Sequence, residues 1–103
     1  MQRSHFRSIF ISDVHLGTRD CRADYLLDFL RHTRCERLYL VGDIIDLEAL
    51  ARAPYWPELH GQVLAELLDM ARSGTRVTYL PGNHDAPLRG LDGQFIGGIE
   101  VRL

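Results

Sequence analysis

Three short polar segments carry the residue types that bind metal ions. They are Asp13-Val14-His15, Gly42-Asp43 and Asn83-His84-Asp85, and each one follows a short apolar run. Taken singly, each segment is also explained as a turn, because Asp, Asn, Gly and Pro form turns for local reasons. Three such segments after three apolar runs indicate a site assembled from the whole chain.

The chemistry of these side chains predicts a centre for divalent cations. In an extended backbone residues i and i+2 point to the same side, so Asp13 and His15 can hold one ion from two directions. Asp43 has two carboxylate oxygens and can bridge two ions, and Asn83 offers a neutral oxygen. Oxygen and imidazole ligands without thiolate suit Mn, with Fe and Zn as alternatives. Two such ions about 4 Å apart clamp a phosphate, lower the pKa of a bridging water and stabilise in-line displacement.

The third segment also supplies candidate catalytic groups. The residues alone leave His84 either as a further metal ligand or as a group that faces the substrate. We expect Asp85 to orient His84 by accepting its second ring proton, which is a common arrangement around metal sites.

The apolar runs before the three segments are predicted strands, at residues 7–12, 37–41 and 76–80. The first run, Ile9-Phe10-Ile11, is continuously apolar, which is typical of a strand covered on both faces. A fourth strand at 94–103 is weakened by Gly97-Gly98.

Two helices are predicted between these strands. The first covers 21–33 with Asp20 as its N-cap, and the second starts at Pro57 and stops at Gly74. The connection 42–54 is predicted to be partly helical, and Asp46 is interpreted as a residue that caps or braces it. His32 and His60 are interpreted as ordinary helix residues.

The order strand, helix, strand, helix, strand predicts an α/β fold with parallel strands and right-handed crossovers, in one domain spanning 1–103. In such sheets ligands bind beyond the carboxyl ends of the strands. All three polar segments lie at those ends, so the fold is expected to bring them together.

Composition limits the partners and the compartment. The formal net charge is −2 and every basic side chain is an Arg, scattered along the chain, so the basic stripe of a nucleic-acid binder is missing and nucleic acid is disfavoured. Cys21 and Cys35 are interpreted as thiols in a reducing compartment. No apolar run approaches the ~20 residues of a membrane span, and the polar segment 1–8 lacks a signal-peptide core. We expect a cytoplasmic protein, or one peripheral to the inner membrane if its substrate is a lipid.

The three segments in this order resemble the calcineurin-like metallophosphoesterases. The pattern of that family reads Asp-x-His, then Gly-Asp, then Gly-Asn-His-Asp or Gly-Asn-His-Glu. The stretches Ile11-Ser12-Asp13-Val14-His15-Leu16-Gly17 and Val41-Gly42-Asp43-Ile44-Ile45-Asp46 look closest to the UDP-2,3-diacylglucosamine hydrolase-like branch, which cleaves a pyrophosphate bond in lipid A synthesis. Tyr55-Trp56-Pro57 and Gly97-Gly98-Ile99-Glu100-Val101 are also similar to that branch.

The resemblance implies a role for each motif residue. Asp13 and His15 would bind the first metal, Asp43 would bridge both metals, and Asn83 would bind the second metal and approach the phosphate. His84 would stabilise the phosphate oxygens or protonate the leaving group, with Asp85 holding it. The implied substrate is a phosphodiester or a pyrophosphate, lipid-linked in the closest branch.

The chain also departs from the family pattern. Relatives continue further and supply more metal-binding histidines, including a Gly-His-x-His block, whereas no His follows Asp85 here. The expectation is therefore a truncated, N-terminal half of a metallophosphoesterase-like sandwich. In the closest branch, a Gly and an aromatic residue are expected where this chain has Leu47-Glu48. Two alternatives stay open, namely a catalytically incomplete domain that binds a partner or self-associates through open sheet edges, and a nuclease of the same superfamily.

Overall fold

The computed structural model describes residues 4–103. Residues 1–3, and with them the start of the polar segment 1–8, lie outside this range. The elements in chain order are β1 (Ser4–Ile11), α1 (Ala23–Arg31), β2 (Thr33–Val41), α2 (Leu47–Arg52), α3 (Glu58–Arg72), β3 (Arg76–Leu80), a 3-10 helix (Ala86–Leu91), β4 (Phe95–Ile96) and β5 (Ile99–Val101).

The strands form one sheet in the order β1-β2-β3-β5-β4. Neighbours are parallel from β1 to β5, and only β4 runs antiparallel to its partner. Ile11 pairs with Leu40, and Val41 pairs with Leu80, so the carboxyl ends of the first three strands lie side by side. The predicted α/β fold with a parallel β-α-β-α-β unit is confirmed.

Several element ends differ from the prediction. β2 starts at Thr33 and not at Arg37, because backbone pairing with β1 continues through its polar residues. α1 starts at Ala23, and the residue at its N-cap is Arg22, whose side chain makes no capping hydrogen bond. The prediction of Asp20 as N-cap is therefore wrong, since that residue lies inside the tight turn in which the Cys21 amide reaches the Thr18 carbonyl.

The second long helix agrees more closely with the prediction. α3 begins at Glu58, with Pro57 one residue outside as the N-cap. It ends at Arg72, and Gly74 then takes a left-handed φ of 111°. This is the conformation in which glycine commonly stops a helix.

The predicted fourth strand is two strands. β4 and β5 form a hairpin around Gly97 and Gly98, which both have positive φ values. A Cβ atom on Gly97 would lie 2.6 Å from a methyl carbon of Leu68 on α3, so the turn also needs glycine for space.

The core lies between one face of the sheet and the helices α1 and α3. Alternate strand residues point into it, and each of Leu38, Leu40, Val77 and Tyr79 is buried. Full burial of a side chain such as Leu38 stabilises the fold by roughly 1.5–3 kcal/mol. The paired strand ends are thereby held on a rigid support.

The opposite face of the sheet is open among the residues that the structure describes. Phe10 is 69% exposed and stacks on Tyr39, with ring centroids 4.8 Å apart. A groove of about 720 Å³ continues along this face past Thr78 and Phe95. The prediction that β1 is covered on both faces is therefore wrong here. Within residues 4–103, no helix is both long and apolar enough to cross a membrane.

Candidate metal centre

Three loops meet at the carboxyl ends of β1, β2 and β3. We call them the first loop (residues 12–22), the second loop (42–46) and the third loop (81–85). The amide of Asp13 donates to the Gly42 carbonyl at 3.2 Å, and that of His15 donates to the Asp43 carbonyl at 2.9 Å. The Gly42 amide donates to the Leu80 carbonyl at 2.7 Å. The pairing of the sheet thus continues into the loops and fixes their spacing.

The second and third loops touch through two glycines. A Cβ on Gly82 would lie 2.8 Å from Asp43 Oδ1 and 2.9 Å from the Cα of Gly42. No other residue fits at Gly82 without movement of the backbone. This close approach lets the amide of His84 donate to Asp43 Oδ1 at 2.7 Å.

Asp13, His15 and Asp43 share an unusual backbone conformation. Each has a φ of 55°, and they are the only non-glycine residues with positive φ in the described part of the chain. Such a conformation costs of order 1–3 kcal/mol and persists where the surroundings over-determine it, often at functional sites. All three are among the four residues predicted from the sequence motifs as metal ligands, the fourth being Asn83.

These three side chains converge in space. The carboxylate oxygens of Asp13 and Asp43 and a ring nitrogen of His15 all lie within 4.8 Å of one another. Two carboxylates and one imidazole are a donor set that fits a divalent cation such as Mn, Fe or Zn. Asn83 is exposed and lies between Gly82 and His84.

Asp46 occupies a central position in the site, which its place in the sequence motifs does not indicate. Its side chain is 5% exposed, and its two oxygens accept from Nδ1 of His15 at 3.0 Å and from Nδ1 of His84 at 3.2 Å. The oxygen facing His84 also accepts from the amide of Ala49, so Asp46 caps α2. With its proton on Nδ1, His15 keeps the Nε2 lone pair free, and Nε2 lies 3.9 Å from Asp13 Oδ1. Asp46 therefore orients His15 toward the ligand cluster.

The charge of Asp46 affects the titration of the site. Burial alone would raise the pKa of Asp46, but the hydrogen bonds from Ala49, His15 and His84 outweigh it, and its pKa is lowered. The hydrogen bond to Asp46 raises the pKa of His84. The two imidazoles meet edge to face, with centroids 5.0 Å apart.

Asp85 does not contact His84 in the way the sequence suggested. It is fully buried, and its Oδ1 accepts from the amide of Gly82 while its Oδ2 accepts from the hydroxyl of Tyr79 and the amide of Ile44. Neighbouring residues of this turn point in different directions, so His84 faces the cluster and Asp85 faces the interior. The carboxylate that orients His84 is that of Asp46.

Tyr79 completes this buried network. Besides donating to Asp85, its hydroxyl oxygen accepts from the amide of Ile45 at 3.0 Å. Burial and the bond to Asp85 raise its pKa, so the hydroxyl stays protonated. Tyr79 and Asp85 together join β3, the second loop and the third loop. The only sequence signal for Tyr79 was a hydroxyl-bearing side chain within an apolar strand.

Comparison with known proteins places this geometry in context. A family model described as calcineurin-like phosphoesterase matches residues 6–101. Among solved structures, a nuclease from Pseudomonas putida named MPE aligns with a TM-score of 0.52 and 23% identity, over 92% of this chain and 46% of that one. At this identity the likeness shows a shared fold, and the chain spans about half the length of that nuclease. No curated protein gives a significant match.

Proposed function

The chain belongs to the calcineurin-like phosphoesterase family, and from this premise we propose that it forms the metal-binding part of a hydrolase that cleaves phosphodiester or pyrophosphate bonds. The single observation that carries the proposal is the convergence of Asp13, His15 and Asp43 within 4.8 Å. All three come from the family motifs, and they lie where parallel strands end.

The roles proposed for the ligands are those that the family motifs imply. Asp13 and His15 would hold one cation, Asp43 would bridge to a second, and Asn83 would bind the second cation through its amide oxygen. Bound cations of this kind neutralise charge on a phosphate and lower the pKa of a water molecule.

His84 is proposed to act on the phosphate oxygens or on the leaving group. Its Nδ1 donates to Asp46, so Nε2 is the atom left to donate a hydrogen bond or a proton. The carboxylate of Asp46 holds the ring at a fixed angle and stabilises its protonated form. Asp85 is proposed to act indirectly, by keeping the second and third loops in register.

The test begins with manganese binding to the chain, followed by electron paramagnetic resonance. We expect at least one ion per chain and a loss of binding of about tenfold or more in Asp43→Asn, since the amide lacks the negative charge and the second ligand oxygen of the carboxylate. Asp20→Asn is the matched control, because Asp20 is exposed on the first loop and outside the cluster. No binding by the wild-type chain, or equal binding by Asp43→Asn, would contradict the proposal.

The number of manganese ions bound per chain then shows whether the chain holds both metal sites or only one. Two ions per chain would be followed by assays of phosphodiester hydrolysis, with loss of turnover expected in His84→Ala. One ion per chain would mean that further ligands come from additional sequence or from a second copy. Size-exclusion chromatography with and without manganese distinguishes these two sources.

For the substrate, we retain UDP-2,3-diacylglucosamine as the first candidate and a cytoplasmic or membrane-peripheral location as the corresponding prediction. Support comes from the motif stretches 11–17 and 41–46, which look closest to that branch. A pyrophosphatase assay with a UDP-sugar pyrophosphate against a simple phosphodiester tests this choice. Faster cleavage of the phosphodiester would refute it.

A nuclease is the second candidate, favoured by one observation. The aligned solved structure carries the name nuclease, although the net charge of −2 does not favour binding to polyphosphate. Cleavage of single-stranded DNA in the presence of manganese, abolished by Asp43→Asn, would support this candidate over the nucleotide-sugar pyrophosphatase.

A further inference from the structure

A buried histidine outside the ligand cluster contacts the first loop. His60 is the third residue of α3 and is 4% exposed. Its Nδ1 accepts a hydrogen bond from the amide of Gly17 at 3.0 Å, across 43 positions of sequence. Gly17 lies two residues after His15, so a residue of α3 holds the loop that presents two candidate ligands.

The imidazole of His60 is itself fixed between two aromatic rings. Tyr55 and Trp56 meet it edge to face, with centroids at 5.9 and 5.8 Å and interplanar angles of 89° and 86°. The guanidinium of Arg19, on the first loop, lies 4.4 Å from the centroid of the Tyr55 ring. The segment between α2 and α3 therefore contacts both His60 and the first loop.

Gly17 has little freedom to find another partner. It is buried with a φ of 103°, and a Cβ atom there would lie 2.8 Å from Cγ of Leu50 on α2. A buried backbone amide without a partner costs free energy comparable to a lost hydrogen bond. The acceptor on His60 meets this need.

The other side of the same loop is held by the second loop. Leu16 donates its amide to the Ile44 carbonyl at 2.7 Å and accepts from the amide of Asp46 at 2.8 Å. Within the loop, the Thr18 hydroxyl donates to the His15 carbonyl at 2.8 Å. The hydrogen bond to His60 thus holds the first loop on the side that faces α3.

We propose that His60 is a positioning residue, which sets the first loop through the amide of Gly17 and so places Asp13 and His15 for metal binding. The placement of ligands rests on the proposed function, whereas the hydrogen bond does not. The role requires a neutral imidazole with its hydrogen on Nε2. Burial lowers the pKa of His60, which favours that neutral form.

Two variants separate the hydrogen bond from simple packing. His60→Asn keeps an acceptor oxygen close to the position of Nδ1, and His60→Leu fills similar space without an acceptor. In the metal-free protein, we expect the Gly17 amide to exchange with solvent at similar rates in the wild type and His60→Asn. In His60→Leu it should exchange about tenfold faster. The ¹⁵N shifts of the His60 ring in the wild type should report the hydrogen on Nε2.

The second readout is manganese affinity. We expect about a tenfold loss in His60→Leu, as for other residues that orient metal ligands, and recovery of most of it in His60→Asn. Equal Gly17 exchange in all three proteins, equal affinity in His60→Leu, or a ring hydrogen on Nδ1 would each overturn the proposal.

The role of His60 can still be decided if His60→Leu does not fold or if the wild type binds no manganese. If His60→Leu does not fold, the ring tautomer of the wild type and the Gly17 exchange rate in His60→Asn still decide the hydrogen bond. If the wild type binds no manganese, the proposed function fails, and Gly17 exchange alone decides whether His60 holds the loop.

Discussion

At Asp13 we predict a conflict between folding stability and metal binding, because the left-handed backbone costs folding energy while the carboxylate is a metal ligand in the proposed site. Its φ is 55°, and its side chain is 73% exposed with its nearest ionic neighbour, Nε2 of His15, 3.9 Å away. Removal of the carboxylate therefore costs little folding energy in the metal-free protein. What remains is the cost of a left-handed conformation, which alanine bears and glycine does not.

We therefore compare Asp13→Gly with Asp13→Ala, since both lack the carboxylate and differ only in Cβ. A left-handed residue with a side chain costs roughly 1–2 kcal/mol, and the greater freedom of glycine in the unfolded chain offsets about 0.4–1 kcal/mol of that. The glycine variant should be more stable than the alanine variant by about 0.5–1 kcal/mol. For a domain of this size, that difference raises Tm by roughly 2–8 °C.

The assay is urea unfolding of the metal-free protein, with manganese titration in parallel. The same pair of substitutions at Asp20 is the control, because that residue is exposed on the same loop and is absent from the positive-φ residues. At Asp20 the alanine variant should be the more stable one. Both Asp13 variants should lose manganese affinity to the same extent. If Asp13→Gly is no more stable than Asp13→Ala, the backbone is not strained and the reasoning fails.

The helix interior, the buried tyrosine and the buried imidazole offer three further tests. Gly61→Ala should raise the free energy of unfolding by about 0.5–1 kcal/mol, because glycine in a helix interior loses more conformational freedom on folding than alanine does. The new Cβ fits, since it would lie at an ordinary contact distance of 3.4 Å from Nε1 of Trp56. A lower free energy of unfolding, measured in urea, would contradict this. Tyr79→Phe should lower the free energy of unfolding by about 1–3 kcal/mol, since buried Asp85 loses a hydrogen-bond donor. An unchanged midpoint of urea unfolding would argue against the buried network of Tyr79 and Asp85. Burial lowers the pKa of His60 below 6.5, so the unfolded chain binds more protons and the stabilisation is lost as pH falls below that value. His60→Asn should flatten this pH dependence, and an equal slope in both proteins would show that other groups cause it.

The parts of the fold that could be predicted depend on local patterns. The apolar runs located three strands, and Gly74 located the end of α3, because the cause of each feature lies within a few residues. Strand ends were harder to place. β2 extends back to Thr33 through exposed polar residues, since its pairing with β1 is made by backbone groups that carry no sequence signal.

The parts of the site that were missed depend on distant contacts. Asp46 reaches His15 and His84 across 31 and 38 positions, and His60 reaches Gly17 across 43. A single sequence contains no record of such pairs, so Asp46 was interpreted only as a cap or brace and His60 as an ordinary helix residue. The pairing of Asp85 with His84 is predicted from their adjacency and from the family resemblance, and neither fixes the direction in which a side chain of a turn points.

The order of strands in the sheet has a consequence for synthesis on the ribosome. From β1 to β3 each strand pairs with the one made just before it, and β5 adds to β3 with β4 outermost. From β1 to β3, growth of the sheet can therefore follow translation, with each strand adding at one edge. The hairpin of β4 and β5 joins last, with β5 against β3. We expect the pairing of β1 with β2 to bring Asp13, His15 and Asp43 together while the chain is still emerging. The third loop joins only after β3, so a cation could meet a partly formed ligand set before synthesis of the domain is complete.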